Sequence, residues 1–356
     1  MKLPMQTIFC LLFLLNIPNG LQATLPPHFP LSKKEWNQCK VFIKKKAPSS
    51  FHKGQNYILK QKHLPCPIEK DPVTGAIYIH LKYKKAGFLG QGSNKIVTKS
   101  ILYGNHPQIV ARCEVLNSDR REEFALNNLK NVAGVAQLVS SIQRPEKKID
   151  VFLRYYNSGT VKNIESSQLK VTDSQLLTLF SDLIQALIGI HNRGFMHRDL
   201  KARNILLHRS KGVLHALITD FGLTVPIDTP KLETLSVPRT AIPPETLILP
   251  VRQIDRRKAE GYSLATVLYI MLFKEKIKWG HTFENEKLST YSEQKKQEEY
   301  LQISTEYSQI SKSALSRSSG TRKKMIQLVF QLLQPDPQKR ISLEEASIQL
   351  QRINYN

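Results

Sequence analysis

Acidic residues are scarce in this sequence. Its 356 residues hold 29 aspartates and glutamates against 52 lysines and arginines, a formal net charge of +23 at pH 7. Such an excess either attracts anionic partners or forms a solvated basic surface. The motifs of a specific nucleic-acid reader are missing: no zinc finger, arginine-rich arm or ribonucleoprotein motif accompanies the charge. The basic residues are spread over Lys44-Lys45-Lys46, Lys82 to Lys85, Arg256-Arg257-Lys258 and Lys323-Lys324. No specific nucleic-acid partner is expected. Long apolar runs are also lacking beyond the first residues, so no later stretch is fit to cross a bilayer. Cysteine is sparse, with Cys10, Cys39, Cys66 and Cys113 only. Cys39 and Cys66 share one segment and are able to pair in an oxidising compartment, although spacing alone establishes no bridge.

What remains fits a soluble globular chain, long enough for one large domain or two lobes. At the N-terminus, Lys2 precedes the apolar run Ile8 to Leu15, then Pro18, Gly20 and Leu21-Gln22-Ala23. A positive start, a short apolar core and a small residue at the cut predict a signal peptide over residues 1–23. The expected destination is outside the cytosol, as a secreted effector or in the lumen of the secretory pathway. Residues 24–77 are basic and punctuated by prolines, with little regular pattern, and they read as an extension or a small docking element rather than an independent domain.

From Ile77 the pattern changes. Alternating and short apolar runs predict strands over Ile77–Leu81, Lys95–Leu102, Gln108–Leu116 and Ile149–Tyr155, with a charged helix over Asp119–Val132. Beyond Gly159 the chain reads as mainly helical. Thr172-Asp173-Ser174-Gln175 has the form of a capping box. It opens a helix whose apolar residues Leu176, Leu179, Phe180, Leu183, Leu187 and Ile190 form one stripe. Helices are predicted over Tyr262–Phe273 and Lys324–Leu333, and the serine-rich Ser311–Gly320 reads as a loop.

The helix opened by Thr172 leads into the most informative stretch, His197 to Gly222. It contains two acids, Asp199 and Asp220, the lysine Lys201 and the amide Asn204. Phosphoryl transfer from a magnesium nucleotide needs such a set. One carboxylate orients the attacking hydroxyl, a cation neutralises the moving phosphate, and an amide and a carboxylate hold metal. His197-Arg198-Asp199-Leu200 with Asn204, followed by Asp220-Phe221-Gly222, resembles the catalytic core of the eukaryotic-type protein kinases.

The resemblance implies an α+β, bilobal protein-kinase-like fold over residues 78–350, with a β-rich N-lobe and a helical C-lobe. It implies ATP and Mg2+ as cofactors and a protein hydroxyl as substrate. By this resemblance Asp199 is the catalytic base and Lys201 steadies the transferring phosphate; lysine there is more typical of serine/threonine kinases. Asn204 and Asp220 are the metal ligands. Gly90, Gly92, Val97 and Ala111 line the nucleotide.

Two departures bear on activity. Cys113 stands where the family's strand lysine is expected, after Val110-Ala111-Arg112, and Lys95 replaces a glycine of the phosphate-covering loop. The pair Gly90-x-Gly92-Ser93-x-Lys95 and Val110-Ala111-x-Cys113-Glu114 resembles the with-no-lysine kinases (WNK), in which a lysine relocated to the glycine-rich strand reaches the same phosphates. Lys95 is accordingly the expected ATP lysine. Strand alternation directs Arg112 away from the Cys113 side. The alternative is a pseudokinase, a nucleotide-binding or scaffolding module without transfer.

Three further positions follow from the resemblance. Aligning Leu129 puts Ala125 where the family's helix glutamate belongs, with Glu122 and Glu123 close by. Glu245, in Pro243-Pro244-Glu245, is expected to pair with Arg340. Glu260 replaces an aspartate that braces the catalytic loop. Thr229, Thr234, Ser236 and Thr240 lie in the intervening segment, where Arg198 is placed to meet a phosphate.

Overall fold

The computed structural model describes residues 30–50, 57–59, 64–81, 87–92, 95–115, 120–144, 148–229, 242–277, 279 and 291–355. Residues 1–23, where a signal peptide is predicted, Ser93, and Thr234, Ser236 and Thr240 lie outside them. The chain divides into two compact units. One comprises residues up to Leu89 together with Thr98–Ile109, and the other comprises Gly90–Val97 and everything from Val110.

The first unit corrects the expectation of an irregular extension. Helix α1, Lys33–Ser50, is followed by strands β1 (Tyr57–Leu59), β2 (Ile68–Lys70) and β3 (Ile77–His80). β1 pairs antiparallel with β2, β2 with β3, and β3 with residues 100–103 of β5 (Lys95–Tyr103), the register setting His80 opposite Ser100. Trp36, Cys39, Phe42 and Ile43 recur at helical spacing and are buried with Cys66, Ile68, Ile79, Leu81 and Ile101. Lysines interleaved with that stripe disguise it in the sequence. Within the sheet lies a buried polar row, in which His80 Nδ1 meets Ser100 Oγ at 2.9 Å and His80 Nε2 meets Glu69 Oε2 at 2.8 Å.

Strand β4, Phe88–Gln91, leads into the second unit. There β6 (Gln108–Val115), β8 (Ile149–Arg154) and β7 (Leu138–Gln143) pair antiparallel in that order. Helix α2, Arg121–Asn128, packs on β7. After the short α3 (Val161–Glu165), helix α4 runs from Asp173 to Asn192 behind the expected cap. Gln175 N donates to Thr172 Oγ1, and Thr172 N donates to Gln175 Oε1. The α4 stripe is buried against the hairpin of β10 (Ile205–Ser210) and β11 (Val213–Ile218), which follow the two-residue β9, Phe195–Met196. A second two-residue strand, β12 (Val225–Pro226), pairs with β9.

Helix α5, Arg256–Phe273, is buried on nearly every side from Ala259 to Leu272, which explains its apolar run Val267–Phe273. It packs on α7 (Gly320–Leu332), which in turn meets α8 (Leu343–Tyr355). The serine-rich stretch read as a loop ends a long helix instead, α6, Glu293–Ser316, and Gly320 opens α7. Its hydroxyls bond back along the chain, Ser311 Oγ to Ser308 O and Ser316 Oγ to Ser313 O, so the helix tolerates them. Antiparallel sheet dominates the described chain up to Arg154 and helix dominates it beyond, so the fold class is α+β.

Candidate active site

A tight hairpin assembles the site. β10 and β11 are joined by Lys211-Gly212 alone, both at positive φ, as a two-residue hairpin turn demands. The register Ile205↔Ile218 brings the residues just outside the hairpin, Asn204 and Thr219, together, and Thr219 N donates to Asn204 O at 2.9 Å. Asp220 therefore emerges beside the loop that carries Asp199.

Asp199 is the hub of that loop. Its Oδ2 accepts from Lys201 Nζ at 2.6 Å and from Asn204 Nδ2 at 2.8 Å. Asn204 Nδ2 also donates to the Asp199 carbonyl, which commits the amide nitrogen and leaves the amide oxygen as the acceptor. Asp199 N donates to His197 Nδ1, while His197 Nε2 faces the Thr219 carbonyl at 2.9 Å. Those partners assign the proton to Nε2. The ring of Phe221, fully buried, packs edge-on against His197 with centroids 4.9 Å apart. Arg198 and Asp220 both adopt left-handed backbone, φ 67° and 70°, a strain typical of functional loops.

The cation sits on β5. Lys95 Nζ is 2.8 Å from Glu122 Oε1 and 2.7 Å from Asp220 Oδ1, bridging helix α2 to the second acid of the loop. Burial alone would lower the Lys95 pKa, but Glu122 and Asp220 outweigh it and hold the ammonium above the ordinary lysine range. Burial would likewise raise Asp220, yet Lys95 keeps its carboxyl below the usual value. Cys113 is buried within electrostatic reach of the same three groups, and burial pushes its thiol up to about 12, so it stays neutral.

The helix acid is thus Glu122, one turn ahead of the Ala125 that alignment on Leu129 selects. Ala125 is buried on the same side of α2. The neighbouring Glu123 points elsewhere. Ser141 Oγ on β7 donates to Glu123 Oε1 at 2.5 Å, and Arg120 grips its other oxygen at 2.6 Å. The two adjacent carboxylates therefore fix the rotation of α2 about its axis. Neither partner assignment can be read from the sequence.

Arg112 points away from the lysine, as strand alternation requires, and donates to Asp150 Oδ2 at 2.6 Å. Gly90 and Gly92 lie ahead of β5, with Gly92 N donating to Lys95 O. A Cβ added at either glycine would meet nothing within 4 Å among the described residues. The chain's own packing therefore does not require glycine there. Val97 and Ala111 are half-buried against the core of the second unit.

Two pairs expected from the sequence are present. Arg340 Nη1 and Nη2 each reach Glu245 at 2.7 Å, with both side chains wholly buried. Glu260 Oε1 accepts from Arg198 N at 2.6 Å, and its Oε2 meets His191 Nε2 at 2.8 Å, a partner that sequence reading missed.

The family model described as the protein kinase domain matches residues 83–349. Over 238 residues the chain is 29% identical to the CBL-interacting serine/threonine-protein kinase 21 of Arabidopsis thaliana, covering 65% of this chain and 50% of that protein. It is 26% identical over 205 residues to the CBL-interacting protein kinase 10 of Oryza sativa subsp. japonica, covering 54% and 44%. To the CBL-interacting protein kinase 2 of the same plant it is 24% identical over 296 residues, covering 82% and 54%. The chain spans about half the length of these curated relatives.

Proposed function

The chain belongs to the protein kinase domain family, and on that premise we propose that it is an active ATP- and Mg2+-dependent kinase of serine or threonine hydroxyls, with Lys95 as its phosphate-binding cation. The observation that carries the reading is the Lys95 ammonium suspended between Glu122 and Asp220. A positive charge is needed at the phosphates, not at one particular Cα, so a lysine on β5 serves where Cys113 occupies the usual position. The paired with-no-lysine pattern supports the same assignment.

In this reading Asp199 orients the substrate hydroxyl and accepts its proton, and Lys201, beside it, neutralises the moving phosphate. Asn204 and Asp220 suit a hard cation: the amide oxygen of Asn204 is left over, and the Asp220 side chain is one-third exposed. When bound, magnesium supplies charge neutralisation at the phosphates. Gly90 and Gly92 keep the covering strand free of side chains where phosphates approach. Val97 and Ala111 offer apolar surface to the base.

The test is autophosphorylation and ATP turnover by the purified chain beside Asp199→Ala and Lys95→Met. Transfer by the wild type, lost in both variants, is expected. A wild type that binds ATP without transfer makes the protein a pseudokinase. A fully active Lys95→Met removes the relocated lysine but leaves the kinase reading standing. We further propose export, on the leader pattern of Met1 to Ala23; the full-length chain found in the cytosol with that segment attached would overturn it.

A further inference from the structure

The positive charge of this chain is unevenly shared. Over residues 30–89 and 98–109 the first unit holds fourteen lysines, no arginine and three acids, leaving eleven positive charges. That is nearly half of the chain's +23 in about a fifth of its length.

The three acids all serve the unit's own structure. Glu69 is buried and bonded to His80. Asp71, also buried, accepts from Val73 N and Thr74 Oγ1 and closes the turn between β2 and β3. Glu35 accepts from the backbone and hydroxyl of Ser32 at the start of α1. By number alone, most of the lysines have no acid of the unit to neutralise them.

Helix α1 shows where part of that charge goes. Its apolar side is occupied in the unit's core, through Trp36, Cys39, Phe42 and Ile43. The other side exposes Lys33, Lys34, Asn37, Gln38, Val41 and Lys44, with Lys40 at its margin beside the Trp36 ring. Lys33, Asn37, Val41 and Lys44 follow one another at helical spacing, a row down one side with a lysine at each end and Lys34 beside the first.

We propose that this face of α1 docks on the anionic surface of a lipid bilayer, as a peripheral electrostatic attachment. Three observations favour lipid over another polyanion. The charge is lysine throughout, so the planar fork that grips phosphates and base edges bidentately is missing. The basic groups stand along an exposed helix face with no exposed aromatic among them for stacking bases. Val41, 53% exposed amid the lysines, gives a small apolar contact at headgroup depth. Because the apolar side of α1 is already packed, the helix rests on the surface without inserting, and attachment falls steeply with salt.

The experiment is co-sedimentation of the full chain with vesicles of phosphatidylcholine alone or containing about 30% phosphatidylserine, at low and high salt. Binding to the serine-lipid vesicles only, abolished by salt, is expected. Lys33→Glu, Lys34→Glu and Lys44→Glu together should weaken that binding by roughly 100-fold or more. The corresponding triple Gln variant should weaken it less, and an unchanged thermal melt shows that both are folded. Equal binding to neutral vesicles, or a folded Glu variant that binds as tightly as wild type, overturns the proposal. So does retention on heparin or duplex DNA at a salt concentration where serine-lipid vesicles bind nothing.

Discussion

Lys95 and Glu122 meet at 2.8 Å, tying a strand to a helix acid 27 residues further along the chain. The link joins the phosphate-binding cation proposed above to helix α2. Lys95→Met should lower kcat/KM for ATP by about 100- to 1000-fold, the loss typical of one preorganised charge. Glu122→Gln should cost less, because Asp220 still holds the ammonium. The double variant should be no worse than Lys95→Met, since both substitutions break one unit. The sign of the pH dependence follows from the raised pKa of Lys95. Its charge, and the stability it contributes, is fully present below the ordinary lysine value of 10.5 and is lost only as pH rises beyond it. Turnover measured from neutral pH to about 10 should therefore show no limb from this group.

Cys113 offers a test of the relocation. Its thiol, pushed up to about 12 by burial, is protonated at neutral pH and shielded. An alkylating reagent at about pH 8 should leave it unmodified in the folded chain and modify it after denaturation, as read by mass spectrometry. Because Cys113 feels the same charges as Lys95, Cys113→Lys in the Lys95→Met background should return part of the lost turnover. A background variant that stays dead would show that a second strand cannot present the cation to this site.

Much of this site was legible because the chemistry is contiguous. Asp199, Lys201 and Asn204 lie within six residues, and the hairpin that returns Asp220 to them is announced by Lys211-Gly212 between two apolar runs. Residues paired over long separations were legible only where a family pattern named both partners, as for Glu245 and Arg340. The choice among Glu122, Glu123 and Ala125 turns on the rotation of α2, which depends on Ser141 of β7 and on the length of the Lys95 side chain. Neither quantity is local to the helix. The first unit escaped because lysines crowd the α1 stripe, so composition suggested an irregular extension or docking element where periodicity would have shown Trp36, Cys39, Phe42 and Ile43 on one side.

Glu260 does the bracing expected of a shorter aspartate, and His191 takes up its second oxygen. Burial would raise the Glu260 pKa, but the His191 bond and the Arg198 N–H hold it below the ordinary 4.5. A lowered folded pKa contributes stability above 4.5 that is lost as pH falls through the folded value. Glu260→Gln should cost about 1–3 kcal/mol near neutral pH, with reduced turnover as the catalytic loop loosens. The gap to wild type should narrow in acid, as urea melts between about pH 3.5 and 7 would show. A gap that stays constant across that range would mean the charge of Glu260 is immaterial and only its shape matters.

Arg340 satisfies several groups at once in a fully buried position. Its two terminal nitrogens hold Glu245, its Nε donates to Gln334 O, and its guanidinium lies 4.9 Å from the Tyr262 ring centre. Removing it strands a buried carboxylate, so Arg340→Ala should cost roughly 3–5 kcal/mol. In a chain of this size that lowers the melting temperature by on the order of 10 °C. Arg340→Lys should recover only a fraction, because a single ammonium cannot make the paired contacts of the fork. The double variant Glu245→Leu with Arg340→Met separates two explanations. If the single-site loss is mainly the orphaned charge, the double should melt above Arg340→Ala. If it is mainly the lost bonds to Gln334 and the neighbouring carbonyls, the double should melt no higher. The buried position of Glu245 makes the first outcome the expected one, since the stranded carboxylate has no solvent to replace its partner.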